Sequence, residues 1–553
     1  MSPDTDVLIV GARSTGLTLA CALARSGTRV RIIEMLTEYP TSSRGKSFSV
    51  RSQEAFEDLG VLEHLRAKGR DDMPWIHYQT GRAGMDLWTR KVLPPRPGVP
   101  YPYPLQISTP LVEAALRDRL SGYGVSVELG QQLTGLAQDD SSVVASVTDS
   151  ATGATRTITA QYLVGCDGGR STVRKEVGVE FRVRPDPESA MFVGDVELTG
   201  LDRSHARIWY SADGAFLGLC PLPGTNSWQF QFKFTDRNHA PGAPSLDLYQ
   251  KIVDRYCPQP GVHLTNATWL SLWRENNGMV LQHRVGRVFI AGDAAHIHSP
   301  AGGQGANTGI QDAYNLGWKL NLVLSGLAGE QLLNTYHEER NPVAAAVLAS
   351  ISRFNKIFWP AGNRRSAFIR RNIYFPWTNI PGVVDRMLRM ADQTKINYRA
   401  SSLSLNYPNT PRRGLAAGDR APDDRLPDQL GSQRRLFEVF RGDHFTLLGF
   451  GLDAALMAGE AAAAHPDIMT ACAVLRPDTA PVGEIGATRL YDGRDRTRRL
   501  YGITGDGLVI VRPDGYIGLR SMPADKAVLD RYLHRQLGLT IHDVHPQLAP
   551  DLA

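Results

Sequence analysis

The sequence predicts an α/β protein. It should hold a Rossmann-like nucleotide-binding domain assembled from separated stretches of chain, a β-sheet domain inserted in it, and a small βα domain at the C-terminal end. Three observations lead there. A strand, glycine turn, helix and second strand open the chain; strand-like runs occupy residues 181–279; and strand and helix patterns alternate again beyond residue 415.

The opening unit is the most specific of the three. Val7–Val10 is a short apolar run rich in β-branched residues, as a buried parallel strand requires. It ends at Gly11-Ala12-Arg13-Ser14-Thr15-Gly16. Leu17, Ala20, Cys21 and Ala24 then fall on one helical face, Gly27 sits where a C-terminal cap belongs, and Val30–Ile33 forms a second strand ending in Glu34. This is the order of a dinucleotide-binding βαβ unit. Gly11 permits the tight turn, the helix N-terminus offers N–H groups to a pyrophosphate, and Gly16 lets helix and strand pack closely. Ser14 and Thr15 lie at that N-terminus, and Glu34 stands where a carboxylate accepts ribose hydroxyls. One position departs from the pattern. Arg13 replaces the middle glycine, and three outcomes stay open: a guanidinium turned away, one paired with a phosphate, or one that hinders the dinucleotide.

Composition narrows the class without naming it. The chain has 553 residues, of which 42% are hydrophobic and 21% charged, a globular balance for two or three domains. A net charge of +5 with no basic block favours neither nucleic acid nor a membrane surface. The five cysteines are scattered with no CxxC pair, which argues against a disulfide framework and a zinc site. No run approaches the length of a membrane span, and Met1–Asp6 has no leader character, so a cytoplasmic protein is expected.

Three further motifs carry a resemblance. Tyr162–Ser171 reads as a strand and a tight turn at Asp167-Gly168. Arg287–His296 contains Gly292-Asp293 after another strand. The third runs from Ser299 through Pro300, Gly302, Gly303, Gln304, Gly305 and Asn307 to Asp312, Trp318 and Leu320. With the opening unit, these resemble the class A flavoprotein aromatic hydroxylases, the p-hydroxybenzoate and phenol hydroxylase type that includes polyketide-tailoring oxygenases. The resemblance covers most of residues 5–400.

That resemblance implies FAD as cofactor and NADPH or NADH as reductant. It implies O2 and a small phenolic or aromatic polyketide-like substrate as reactants, with hydroxylation through a flavin C4a-hydroperoxide. It also implies site roles. Gly11, Ser14, Thr15, Gly16 and Glu34 hold the adenosine diphosphate part, and Gly292 and Asp293 the ribityl chain. Gly303, Gln304, Gly305 and Asn307 lie at the flavin edge, with Pro300 against the ring. Arg44, Gln106 and Asp167 sit at positions that contact the cofactor in relatives. Arg51 is the one catalytic candidate, as a cation near the isoalloxazine, against the plainer reading of a helix N-terminal surface arginine. No metal is expected, and His296 and His298 are read as hydrogen-bonded scaffold.

In domain terms, residues 1–180 and 280–400 are expected to form the FAD-binding domain, 181–279 the substrate-binding β-sheet domain, and 415–553 a thioredoxin-like domain without the CxxC pair. Packing or dimerisation is that last domain's default role, which makes a homodimer an expected partner state. Residues 83–104 read as a proline-rich loop and 404–430 as a linker. Trp228, Phe230, Phe232 and Phe234 alternate with polar residues, which fits both a substrate wall and an ordinary sheet core. Competing readings are Baeyer–Villiger oxygenation on the same fold, a flavin-free catalyst or binding protein motivated by Arg13, and a flavin oxidase.

Overall fold

The computed structural model describes residues 3–43, 45–79, 86–89, 96–211, 215–234, 242–297, 303–358, 372, 380, 392–409, 414–479 and 486–539. The chain divides into two compact units. The first holds Met1–Gly317, His337–Asn397 and Pro422–Asp424; the second holds Trp318–Tyr336, Tyr398–Ala421 and Arg425–Ala553.

In the first unit, five parallel strands run in the order β17 (Val288–Ile290), β10 (Thr155–Gly165), β1 (Thr5–Val10), β2 (Val30–Glu34) and β7 (Val127–Leu129). β8 (Gln131–Gln138) and β9 (Val143–Asp149) extend β10 as an antiparallel meander, and β16 (Arg284–Val285) closes the other edge. The parallel strands are buried on both faces, so they read as continuous apolar runs: Val7, Leu8 and Ile9 have no exposed surface. Helix α1 (Ser14–Ala24) makes the crossover from β1 to β2. It packs against α4 (Thr109–Ser121), where the Cys21 thiol donates to the Leu116 carbonyl.

A second, mostly antiparallel sheet belongs to the same unit. Its order is β18 (His296–Ile297), β15 (His263–Val280), β11 (Phe181–Thr199), β14 (Trp228–Lys233), β13 (Phe216–Pro221), β12 (Ala206–Tyr210), β4 (Trp75–Gln79) and β5 (Asp86–Thr89). β5 lies inside the stretch expected to be a proline-rich loop. The prolines cluster beyond it, and Asp86–Thr89 pairs with β4. Helix α6 (Leu246–Tyr256) covers one face, burying Tyr249, Ile252 and Val253 against Trp228, Phe230 and Phe232. The Phe230 and Tyr249 rings stack at 4.3 Å. The four aromatics of the 228–234 run therefore point into the core under α6, because a period of two puts all of them on one side. Removing a ring such as Phe230 would cost about 3–5 kcal/mol.

The remaining elements of this unit frame the space beside the two sheets. β3 (Ser47–Phe48) pairs with β6 (Leu105–Gln106). Helices α2 (Val50–Asp58), α3 (Leu62–Lys68), α5 (Thr172–Glu176), α7 (Gly305–Leu324) and α8 (Asn334–Phe358) complete the set.

The second unit has its own six-stranded sheet. The order is β19 (Leu405–Tyr407), β26 (Ile517–Ser521), β25 (Gly507–Val511), β22 (Phe445–Phe450), β23 (Met469–Leu475) and β24 (Thr488–Tyr491). β22, α10 (Leu452–Ala464) and β23 form a parallel βαβ unit; the antiparallel pair β25 and β26 and then α12 (Lys526–Arg531) follow, the order expected of a thioredoxin-like domain. β20 (Arg425–Pro427) and β21 (Gln433–Arg435) make a small hairpin, and α9 (Leu436–Phe440) and α11 (Arg496–Tyr501) are short. The expected linker at 404–430 is instead part of this packing. β19 pairs with β26, and Ala416, Ala417 and Ala421 are fully buried. A Cβ at Gly418 would lie 2.4 Å from the Arg399 nitrogen, so small residues there serve close backbone packing.

Candidate active site

Strand register brings the sequence motifs together. Val10 pairs with Gly165 and Ile33, and Gly165 with Ile290. Gly11, Glu34, Asp167 and Gly292-Asp293 therefore follow the carboxyl ends of adjacent parallel strands, where ligands of doubly wound sheets sit. Gly11 has φ +102°, and a Cβ there would lie 2.4 Å from the Cys166 carbonyl oxygen. A Cβ at Gly16 would lie 2.0 Å from the Gly11 oxygen. Both positions thus require glycine. Glu34 is held by two backbone donors: the Ala12 N–H at 2.9 Å and the Leu36 N–H at 3.1 Å.

Arg13 turns away from this edge. Its Nε donates to Glu113 Oε1 of α4 at 3.0 Å. The same oxygen accepts from the Ser14 N–H and Ser14 Oγ. Ser14, expected at the cofactor, thus spends both polar groups on Glu113. Thr15 acts as a wedge: Cβ atoms added at Gly292 and Gly309 would lie 2.6 and 2.3 Å from its Oγ1. It locks α1 to the Gly292 turn and to α7. Asp167 is also committed to the fold. It accepts from Ser171 Oγ and from the Thr172 and Val173 N–H groups, capping α5, and burial pushes its carboxyl above the usual range.

The Gly292-Asp293 turn is fixed from behind by a buried ionic cluster. Asp312 of α7 accepts from the Gly292 N–H at 3.0 Å and from Arg340 Nε at 2.6 Å, and His296 Nε2 lies 2.6 Å away. Asp312 and Arg340 have no exposed surface. Burial alone would raise the Asp312 carboxyl, but Arg340 and His296 hold it well below the ordinary range. Arg174 adds a second tie, donating to the carbonyls of Ala294 and Gly169. Asp293 itself is exposed within an otherwise buried run.

At the start of α7, Gly303 has φ +63°, and a Cβ there would meet Ser47 of β3 at 3.7 Å. Gln106 of β6 donates to Ser47 Oγ at 2.9 Å, while its buried Oε1 has no partner among the described residues. Asn307 is wholly engaged: it accepts from the Ser49 N–H and Ser52 Oγ and donates to the carbonyls of Ser47 and Gly303. Gln304 accepts from Gln393, a residue with φ +60° that also accepts from Ser49 and Gln311. Gly305 begins α7. Arg51, the catalytic candidate, is 4% exposed and pairs with Glu54 at 2.6 Å within α2. It is therefore a buried residue of α2 rather than a surface arginine, held by Glu54. Arg44 and Pro300 lie outside the described residues.

The sheet face opposite α6 carries what alternation predicts. Asp195, Gln229 and Cys220 pair in one row across β11, β14 and β13; Val193, Gln231 and Gly218 form the next. This face meets the loop before β3: the Ser43 N–H donates to Asp195 Oδ2, and Gln229 donates to the Ser43 carbonyl. His77 of β4 bonds the Tyr210 hydroxyl at 3.1 Å, and burial pushes its pKa down to about 3.

This edge fits a flavin dinucleotide. Gly11 and Gly16 keep the turn tight against the Cys166 and Gly11 carbonyls, Glu34 presents a fixed acceptor pair, Arg13 is held by Glu113, and Gln106 has a buried oxygen without a partner among the described residues. Residues 4–350 match the family described as an FAD binding domain. The chain belongs to the flavin-dependent monooxygenases. It is 37% identical over 541 residues to a flavin-dependent monooxygenase of Mycobacteroides abscessus, covering 96% of this chain and 99% of that one. It is 31% identical to the 6-methylpretetramide 4-monooxygenase of Streptomyces rimosus, over 99% and 96% of the two chains. The OxyS anhydrotetracycline hydroxylase structure from Streptomyces rimosus superposes with a TM-score of 0.75 at 27% identity, covering 97% of this chain and 99% of that one.

Sequence reading missed Glu113, Gln393, Arg174 and Arg340. Arg13's departure from the glycine pattern was a signal that it needed a partner, which Glu113 supplies; the other three carry no local pattern. Among the described residues, no helix is long and apolar enough to cross a membrane.

Proposed function

We propose that this monooxygenase inserts one atom of O2 into an electron-rich ring of a phenolic, polyketide-like substrate, using FAD reduced by NADPH or NADH. Bound FAD supplies hydride acceptance and oxygen activation. The chain's residues supply the rest. Glu34 and Asp293 would accept hydroxyl hydrogens of the cofactor, Gln106 would offer its unpartnered oxygen at the flavin edge, and the Gly303–Gly305 turn would present backbone N–H groups there. The Asp312–Arg340 cluster keeps the Gly292 turn in place, and the α6-covered core keeps the sheet rigid behind the substrate.

The observation that carries this reading is the bond from Ser43 to Asp195. It joins the loop leading to the flavin-side strands with the face of the second sheet. A substrate on that face would lie beside the flavin edge, and its polar groups would meet Asp195, Gln229 and Gln231. The names of the relatives support a phenolic or polyketide-like aromatic substrate. Cytoplasmic residence and a homodimer belong to the same reading. The test is turnover under 18-O2 with candidate polyketide phenols: one labelled oxygen in the product supports it, and unlabelled or unchanged substrate overturns it. Carbon NMR of the product separates ring hydroxylation from Baeyer–Villiger insertion.

A further inference from the structure

The substrate face holds a cation and a carboxylate that the roles above leave unused. Lys46 follows Ser43 in the same loop, and its Nζ stands 5.2 Å from the centroid of the Trp75 ring. Among the described residues it makes no hydrogen bond or ion pair. Trp75 pairs with Ala206, at the edge of the row that contains Cys220, Gln229 and Asp195. Asp195 is 2% exposed; the Ser43 N–H satisfies Oδ2, and Oδ1 has no partner among the described residues. A buried carboxylate with an empty acceptor beside an unpaired lysine is costly unless a ligand completes it. The neighbouring titratable groups are Cys220, on the same row, and His77, which is occupied with Tyr210.

We propose that Lys46 and Asp195 together ionise and hold a hydroxyl of the aromatic substrate. The substrate O–H bond breaks and its proton passes to Asp195 Oδ1, directly or across one bridging water. The resulting phenolate oxygen pairs with the Lys46 ammonium, which keeps its own protons. No oxidant is needed and charge is conserved. Burial supports the assignment: it lifts the Asp195 carboxyl to about 6, which suits a proton acceptor near neutral pH, and pulls Lys46 below its usual value. Ionisation enriches the ring in electrons before oxygen transfer. The inference rests on the oxygenase reading for its substrate class alone.

The test uses the FAD-loaded protein without reductant and alizarin as probe, because that dye changes colour when its hydroxyl ionises. Bound dye should take the anion colour at a pH where free dye is neutral, with its ionisation midpoint lowered by about one pH unit or more. K46M should abolish that shift and weaken dye binding about tenfold, and K46R should restore most of it. D195N should make dye binding release close to one proton to weakly buffered solution, where the wild type releases little. Neutral dye bound to the wild type, an unchanged shift in K46M, or equal proton release in D195N would each overturn the assignment. None of these readouts involves turnover, so the 18-O2 experiment judges the oxygenase reading separately.

Discussion

Arg13 offers the sharpest test of how the dinucleotide edge is built. Glu113 brings a carboxylate, 2% exposed, to the N-terminus of α1, and Arg13 neutralises it at 3.0 Å. Replacing Arg13 by Ala leaves that charge beside the place a pyrophosphate must occupy. The Arg13–Glu113 attraction itself, about 4 kcal/mol gross at about 4 Å and an effective dielectric constant near 20, is lost with and without FAD, so it only bounds the repulsion that the uncovered carboxylate exerts on the pyrophosphate. Arg13 is about a quarter exposed, so solvent screening reduces the net effect to about 1–2 kcal/mol. FAD should therefore bind roughly 5- to 30-fold more weakly in R13A, since 1.4 kcal/mol is about a factor of ten. The assay is titration of apoprotein with FAD, followed by flavin fluorescence. The double variant R13A/E113Q removes both charges and should recover most of the affinity, as expected of coupled neighbours. An R13A dissociation constant within twofold of wild type would refute the argument that Arg13 exists to balance Glu113.

Three other outcomes follow from the same geometry. G309A places a Cβ 2.3 Å from Thr15 Oγ1, so it should cost about 1–3 kcal/mol by urea unfolding, with more than half regained in T15A/G309A. R340M strands the buried Asp312 carboxylate and should cost about 3–5 kcal/mol. Because the folded Asp312 pKa is depressed, that contribution is full above the unfolded carboxylate value and fades as pH falls below about 4; thermal melts across pH 3–7 check it. Asp195 has the opposite sign: its raised pKa means a penalty that begins near the unfolded carboxylate value of about 4 and is full above about pH 6. D195N should therefore gain about 1–2 kcal/mol at pH 8 and nothing at pH 3, read from urea midpoints.

Much of the nucleotide edge was legible in the sequence because its demands are local. Gly11 and Gly16 are required by backbone approach within one βαβ unit, and Glu34 by the end of its own strand. Alternation exposed the 228–234 strand but left its direction open, since both faces of a sheet show the same period. Only the placement of α6 decided which side was core. The residues with long-range partners were harder. Asn307 and Asp167 are singled out by the motifs they belong to, and those motifs do not show the backbone segments that their side chains hold. Gln393 bonds Gln304, 89 positions away in sequence, and no local pattern announces it. Arg51 fell beside the right helix start, but nothing local revealed that Glu54 would take its charge.

The alternation of β14 has a practical corollary for anyone wishing to redirect this enzyme. Even-numbered positions in that strand belong to the hydrophobic interior, while Gln229 and Gln231 look outward with Val193 and Asp195 of the neighbouring strand. Mutational libraries limited to that outward set should change what the sheet presents while leaving the α6-covered core intact, although Gln229 and Asp195 also tie the sheet to the Ser43 loop.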